Sequence, residues 1–292
     1  MARYYIVWVN RTVTDFYHPL FECAYAAELL GMLFFVVLSP VFYESVIRAR
    51  VLHVNNRIMA ILMHFHYFVS LLCRIVLIAY QHLNIPLRDD DVLLAVCVVL
   101  RRVEMPYISG SFGAIALERI IGTYFWKWYE QQRRGTLVVV IPILIYKYTA
   151  ALAITAGLVF GVYSLTVAFL LEALLFGASL IFSFTVVFNI QAEVKRLKKF
   201  GASYSINRRF QIRENILMIK TLTALIRPVI IMTIAVYGML GVYLIVPENF
   251  HFIHFFSIAL YDVCIVISSS VTPVENVPET DVYFKMFQKQ IA

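Results

Sequence analysis

Seven long apolar stretches, separated by shorter polar segments, occupy most of the chain. A membrane-spanning helix needs about 20 mostly apolar residues, and only a helix pairs its own backbone polar groups in lipid. Each stretch is long enough for this and contains few charged positions. The pattern therefore predicts an all-α membrane protein, a bundle of seven transmembrane helices. The predicted spans are residues 21–43, 58–80, 96–117, 137–159, 165–187, 222–245 and 252–272.

The spans divide the chain into three parts: residues 1–20 before the first span, a membrane domain at residues 21–272, and a tail at residues 273–292. The tail contains four apolar residues at helical spacing, with lysines between them. This pattern predicts a short amphipathic helix lying on the membrane surface. The residues are Tyr283, Phe284, Phe287 and Ile291, with Lys285 and Lys289 between them.

The distribution of Lys and Arg predicts the orientation of the bundle. Of these 25 residues, 17 border one side of the predicted membrane, three border the other side and five lie within spans. Cytoplasmic loops carry the excess of positive charge in membrane proteins, so residues 1–20 are predicted to be extracellular and the tail cytoplasmic. The sequon that begins at Asn10 is then a candidate glycosylation site on the outer side. The net charge of +7 fits contact with an anionic inner leaflet, and we predict no nucleic-acid partner.

Composition limits the functions open to the chain. Hydrophobic residues make up 61% of it and charged residues only 15%, and seven spans with short loops use up the 292 residues. No room remains for a separate soluble catalytic domain. The sequence shows neither a His, Asp and Ser cluster at one membrane depth nor a Gly-rich phosphate loop. We therefore predict that the protein is not an enzyme and needs no cofactor.

The four cysteines lie in or at the edge of apolar spans, without the spacing of a metal site. Buried thiols are the favoured interpretation. Cys23 and Cys97 both lie near outer span ends, so a disulfide between them stays open. The four residues are Cys23, Cys73, Cys97 and Cys264.

The histidines are predicted to occupy helix interfaces. His64 and His66 are two residues apart on a helix and point in roughly opposite directions. His251 and His254 share a face at an outer rim, without a nearby acid. Neither pair has the pattern of a metal site.

Eight ionisable residues lie in the outer half or near the midplane of the predicted spans. Such residues cost ~2.5–3.5 kcal/mol each at a helix centre on insertion scales, which makes them functional candidates by default. Pairing between helices is the alternative interpretation. The residues form a neutral set: Arg74, Arg101, Arg102 and Lys147, with Glu28, Glu104, Glu172 and Asp262.

Five of these residues form the candidate ligand-binding set. Arg101 and Glu104 are three apart on one helix and share a face, so we predict that they pair. Arg102 points about 100° away and needs another partner, either an acid on a neighbouring span or an anionic ligand. Lys147 and Asp262 lie in the middle of the fourth and seventh spans. They are expected to pair directly if the bundle brings them together, or to be linked by a water or a ligand.

Three motifs on the predicted inner side resemble those of nematode serpentine receptors of class epsilon, the Sre family. The resemblance covers residues 50–220, with the motifs in the family's order. They are Leu52-His53-Val54-Asn55, then Glu118-Arg119-Ile120-Ile121-Gly122-Thr123 leading to Trp128-Tyr129-Glu130, and Tyr204-Ser205-Ile206-Asn207-Arg208-Arg209-Phe210-Gln211-Ile212-Arg213-Glu214-Asn215.

The resemblance implies a chemosensory G-protein-coupled receptor in the plasma membrane of nematode sensory neurons, with sensory cilia as the expected site. Its partners would be a small-molecule chemical cue outside and a heterotrimeric G protein inside. Glu118 and Arg119 would hold the resting bundle at a wet helix end and release the arginine toward the partner. An ordinary positive-inside arginine beside an acid is the alternative. Arg208 and Arg209 would complement an acidic face of the G protein, or else face solvent and lipid.

A channel or transporter is the alternative from another functional class, because a neutral set of buried charges can also line an ion path. Insect-type seven-helix odorant channels have the N-terminus inside, opposite to the charge bias of this chain. Membrane topology therefore separates the two hypotheses.

Overall fold

The computed structural model describes residues 18–48, 54–83, 91–125, 135–199, 230–247 and 249–270. Every regular element within these ranges is an α-helix, and they contain no strand. The eight helices described are α1 (His18–Arg48), α2 (Val54–His82), α3 (Val92–Ser109), α4 (Ser111–Tyr124), α5 (Gly135–Val159), α6 (Leu165–Lys199), α7 (Ile230–Ile245) and α8 (His251–Ser270). The predicted all-α fold is confirmed.

Five of these helices, α1, α2, α5, α6 and α8, are long and apolar enough to cross a membrane. Together they account for five of the seven predicted spans. The described part of the sixth predicted span is α7, a shorter apolar helix. Most helices extend past their apolar stretch, and α6 continues to Lys199, because a helix does not end where the hydrocarbon ends.

The third predicted span is formed by α3 and α4, which meet at Gly110. Pro106 has no backbone N–H, so the helix is weakened one turn before the junction. The hydrogen-bonded path nevertheless continues, since Gly110 N–H donates to Pro106 O at 3.3 Å and Ala114 N–H donates to Gly110 O at 3.1 Å. The two helices therefore form one continuous rod.

The bundle is held by contacts of α1 with α8, of α2 with α3, of α3 with α5 and α6, and of α4 with α6. One apolar cluster joins α1, α3, α7 and α8 around Tyr25, Met105, Leu240 and Ile258. Large apolar side chains also cover the outside, and Ile181 and Phe188 are each 70% exposed. An apolar exterior around a core that contains charges is the pattern of a protein whose surroundings are lipid.

The connection between α5 and α6 is a tight turn at residues 160–164. Gly161 adopts a φ of 68°, a left-handed conformation that glycine adopts without steric cost. The hydroxyl of Tyr163 donates to Ile154 O one turn before the end of α5. The two helices are therefore antiparallel neighbours. Lys147 lies on α5 and Glu172 on α6.

Candidate functional site

Four charges, three of them buried and Arg101 partly buried, form one continuous chain of ion pairs across α1, α2, α8 and α3. The Arg74 guanidinium donates to both carboxylate oxygens of Glu28, at 2.6 and 2.8 Å. Its Nη2 also lies 2.7 Å from Oδ2 of Asp262, and Oδ1 of Asp262 accepts from Arg101. Two cations and two anions therefore neutralise each other inside the bundle, which removes much of the cost of placing them there.

The predicted pair of Arg101 with Glu104 is wrong. Arg101 binds Asp262 on α8, and Glu104 accepts a hydrogen bond from Ser70 on α2. Spacing along α3 puts both residues on one side of the helix, but the approach of α8 and α2 decides which groups they reach. Asp262 is consequently occupied by two arginines and does not pair with Lys147.

Arg102 finds its partner on a neighbouring span. Its Nη2 lies 2.6 Å from Oε1 of Glu172 on α6, and the two side chains are 9% and 0% exposed. Of the two alternatives left open by the sequence, an acid on another helix is the one observed. The pair ties α3 to α6 at a buried position.

Lys147 differs from the three arginines. Its Nζ donates to Ser111 Oγ at 2.8 Å and lies 3.7 Å from the centre of the Tyr107 ring. The residue is buried, and no carboxylate of the described ranges lies within ion-pair distance of it. The ammonium is therefore held by a hydroxyl and an aromatic face, in contrast to the carboxylate partners of the arginines.

Three of the four histidines predicted at helix interfaces, His64, His66 and His254, are buried. His251 is exposed and stacks on Phe255 of the same helix, so the prediction is wrong there. His64 stacks on Phe35 and Phe42, with ring centres 4.5 and 4.3 Å apart, and its Nε2 lies 2.8 Å from Ser39 Oγ. His66 instead contacts Tyr107, with ring centres 4.5 Å apart. The two rings therefore enter different clusters, as their spacing on α2 requires.

All four cysteines are free thiols, so the disulfide that was left open between Cys23 and Cys97 is not formed. Cys97 packs with Cys73, Leu77 and Leu94 between α2 and α3. Cys23 is exposed on α1, and the prediction of a buried thiol is wrong at this position.

Glu118 and Arg119 form a bidentate ion pair near the end of α4. Arg119 Nε donates to Oε2 at 2.5 Å and Nη2 donates to Oε1 at 2.6 Å. Both residues are buried, so the predicted position at a wet helix end is wrong. The burial follows from packing, since Ala116 on α4 contacts Val186 and Ile190 on the long α6.

Neutral polar residues within the spans are the functional candidates that sequence reasoning missed. Ser70 holds Glu104, and Ser111 and Tyr107 hold Lys147. A signal existed, since each is a hydrogen-bonding side chain in an apolar stretch, but hydroxyls are common in membrane helices and their partners cannot be read from one helix alone.

The remaining predicted site residues, Asn10, Arg208 and Arg209, lie outside the residues that the structure describes, as does the predicted amphipathic helix of the tail. Two of the three quoted motifs are partly described. Asn55 begins the second helix with Val54, and residues 118–123 form the last turns of α4.

Comparison with known families agrees with the bundle and with the motifs on its predicted inner side. The family model described as Sre G protein-coupled chemoreceptor matches residues 4–276, which is nearly the whole chain. Comparison with curated proteins gives no significant match. The match confirms the resemblance drawn from the three motifs, and the membrane-spanning helices agree with a multi-pass membrane protein. The chain belongs to the Sre family of G-protein-coupled chemoreceptors.

Proposed function

We propose that the protein binds a small-molecule chemical cue from the extracellular side and signals through a heterotrimeric G protein on the cytoplasmic side. The observation that carries this proposal is the buried, bidentate pair of Glu118 with Arg119 at the end of α4. A closed pair at this position fits a resting state in which the arginine is withheld from an intracellular partner.

A receptor of this kind needs a ligand with different affinities for two arrangements of the bundle. Arg101, Arg102 and Glu104 lie on α3, which passes directly into α4 and the Glu118–Arg119 pair. Lys147 and Asp262 contact this rod through Ser111 and Arg101. A ligand at any of the five candidate residues therefore acts on the rod that carries the inner pair. Because the hydrogen-bonded path continues through Gly110, a rotation of α3 is passed on to α4.

The charge bias sets the orientation of the receptor: residues 1–20 are outside, with Asn10 glycosylated, and the tail is inside. The receptor resides in the plasma membrane of sensory cilia. Arg208 and Arg209 in the long inner loop then add positive charge to the surface that faces the G protein. With this orientation the five candidate ligand residues belong to the outer half or the midplane of the predicted spans.

The alternative of a channel or transporter is less well supported by the geometry. Ion conduction through the bundle requires charged groups that face a water path. Six of the eight intramembrane charges instead form ion pairs between helices, and Glu104 and Lys147 contact hydroxyls. The family match also supports a receptor and not an enzyme.

The coupling role is tested by Glu118→Gln and Arg119→Ala in cells that carry a G-protein reporter and a panel of volatile and water-soluble chemicals. Glu118→Gln weakens the ion pair and keeps the side-chain shape, so basal signalling should rise severalfold. Unchanged basal signalling at equal surface expression would contradict a role in holding the resting state.

Arg119→Ala removes the bidentate partner of a buried carboxylate, which costs about 3–5 kcal/mol when an ion pair is buried. We therefore expect lower surface expression as well as altered signalling. Arg48→Ala is the matched control, because the Arg48–Glu44 pair is exposed on α1 and such pairs contribute only about 0–1 kcal/mol. Wild-type expression and signalling of Arg119→Ala would reject the role of this residue.

A further inference from the structure

We propose that Lys147 is the anion-binding centre of the receptor and receives the carboxylate of a small acidic cue, whose apolar body packs between α2, α3 and α5. This inference rests on the proposed function, since it names the ligand class of the same outer site. It also changes the position of the anion site, which spacing along the third span had suggested at Arg102.

The distribution of partners among the buried charges carries the argument. Arg74 and Arg101 bind Glu28 and Asp262, and Arg102 binds Glu172. A ligand carboxylate at any of these arginines has to displace a carboxylate of the protein, with no gain in ion pairing. Lys147 is the one intramembrane cation among the described residues whose contacts are a hydroxyl and an aromatic ring.

The Lys147 ammonium has N–H donors left for a further acceptor. An ammonium has three N–H donors. One is used by Ser111 Oγ at 2.8 Å, and the face of Tyr107 lies 3.7 Å away. A carboxylate oxygen is the acceptor that binds an ammonium most strongly in a low-dielectric site, through a short charge-assisted hydrogen bond.

A second buried polar group, without a hydrogen bond, contacts the same Tyr107 ring as this ammonium. The ring of His66 is centred 4.5 Å from the ring of Tyr107, the same ring that Lys147 contacts. His66 is 8% exposed, and its Nε2 has no hydrogen-bond partner within the described part of the bundle. The His66 ring therefore adds a second unsatisfied buried polar atom at the aromatic ring that Lys147 contacts.

The surroundings select an apolar acid. Val103 and Ala151 are fully buried next to Tyr107, with Met63, Val99 and Tyr148 packed around them. The four aliphatic side chains of this cluster provide van der Waals contact for a hydrocarbon or aromatic body, and only the hydroxyls of Tyr107 and Tyr148 are polar. Cationic ligands are disfavoured by repulsion from the ammonium, and neutral alcohols gain no charge pairing.

The test is thermal unfolding of the purified full-length receptor, which measures binding without the need for signalling. Hexanoate and benzoate are compared with hexan-1-ol and benzyl alcohol, which have the same carbon skeletons. At a ligand concentration about ten times the Kd, the acids should raise the Tm of the wild type by ~3–5 °C. The alcohols should leave the Tm unchanged. Lys147→Met should abolish the shift and Lys147→Arg should retain part of it. Lys195→Met, at an exposed lysine of α6, is the matched control and should respond like the wild type.

Several outcomes overturn the proposal: no shift of the wild type with either acid, an equal shift in Lys147→Met, or an equal shift with the alcohols. If Lys147→Met does not fold, Lys147→Gln replaces it, and failure of both to fold makes the ammonium structural and also overturns the proposal. The proposed receptor function is tested separately in the G-protein reporter cells. Acid binding that depends on Lys147 without signalling would reject G-protein signalling alone, and signalling unaffected by Lys147→Met would reject this inference alone.

Discussion

Arg102 on α3 and Lys147 on α5 are both buried cations near the middle of the membrane, and they differ in what surrounds them. Arg102 faces a carboxylate on α6, whereas Lys147 faces Ser111 and the ring of Tyr107. A planar guanidinium suits permanent pairing with a carboxylate, while an ammonium is a compact charge that accepts varied partners. The first residue is therefore suited to hold the bundle together, and the second to meet a ligand.

Reversing the charges of the Arg102–Glu172 pair tests the structural role of Arg102. Arg102→Gln leaves the fully buried Glu172 carboxylate without its cation, so we expect a loss of stability of about 3–5 kcal/mol and low surface expression. Arg102→Glu combined with Glu172→Arg restores the pair and should recover most of the expression. The measurement is Tm together with surface staining. Full expression of Arg102→Gln would show that this pair is dispensable for folding.

The contact of α1 with α8 shows how one small residue sets the distance between two elements. A Cβ added at Gly31 would lie 2.8 Å from Cγ1 of Val266, closer than non-bonded carbon atoms approach. Small residues at such positions let membrane helices pack closely, where dispersion contacts provide much of the stabilisation. The same two helices carry Glu28 and Asp262, so their separation also determines whether Arg74 reaches both acids.

Gly31→Ala should therefore destabilise the receptor by about 1–3 kcal/mol, the usual cost of overpacking, because Val266 has to move. Val266→Ala removes the crowding methyl groups and should rescue Gly31→Ala in the double variant. Gly177→Ala on α6 is the control, since an added Cβ there meets nothing within 4 Å. The measurement is the Tm of the wild type, Gly31→Ala, the double variant and Gly177→Ala. An equal decrease in Tm for Gly31→Ala and Gly177→Ala would mean that the contact between α1 and α8 is not the cause.

At the scale of the whole molecule, apolar side chains cover the outside and a neutral set of charges occupies the inside. Ile181 and Phe188 are largely exposed, whereas Glu28, Glu172 and Asp262 are almost fully buried. In lipid this arrangement is favourable, since acyl chains contact the apolar surface and the charges satisfy one another. The uneven distribution of Lys and Arg then determines which end faces the cytoplasm.

An epitope fused at the N-terminus should be stained on intact cells, and an epitope placed after Ala292 should be stained only after permeabilisation. Asn10→Gln should reduce the apparent mass by one glycan if the sequon is used. The opposite staining pattern would contradict the orientation and with it the receptor mechanism. An unchanged mass of Asn10→Gln would remove only the glycosylation site.

The sequence by itself determined the helices, the lipid environment and the eight charges placed in the outer half or near the midplane of the spans. Runs of apolar residues fix where helices cross, because backbone hydrogen bonding in lipid permits little else. The three motifs on the predicted inner side pointed to the family that the family model then matched. The turn at Gly161 was also predictable, since few residues separate the fourth and fifth apolar stretches.

Only the tertiary structure decided which charges meet. Arg101 pairs with Asp262, 161 residues away, and not with Glu104 three residues away, because the energy of an ion pair depends on distance through space and on burial. Spacing within one helix gives the direction of a side chain and says nothing about which helix stands opposite. For the same reason the burial of Arg119 and the contact of Lys147 with Tyr107 follow from the packing of α4 on α6 and of α5 on α3.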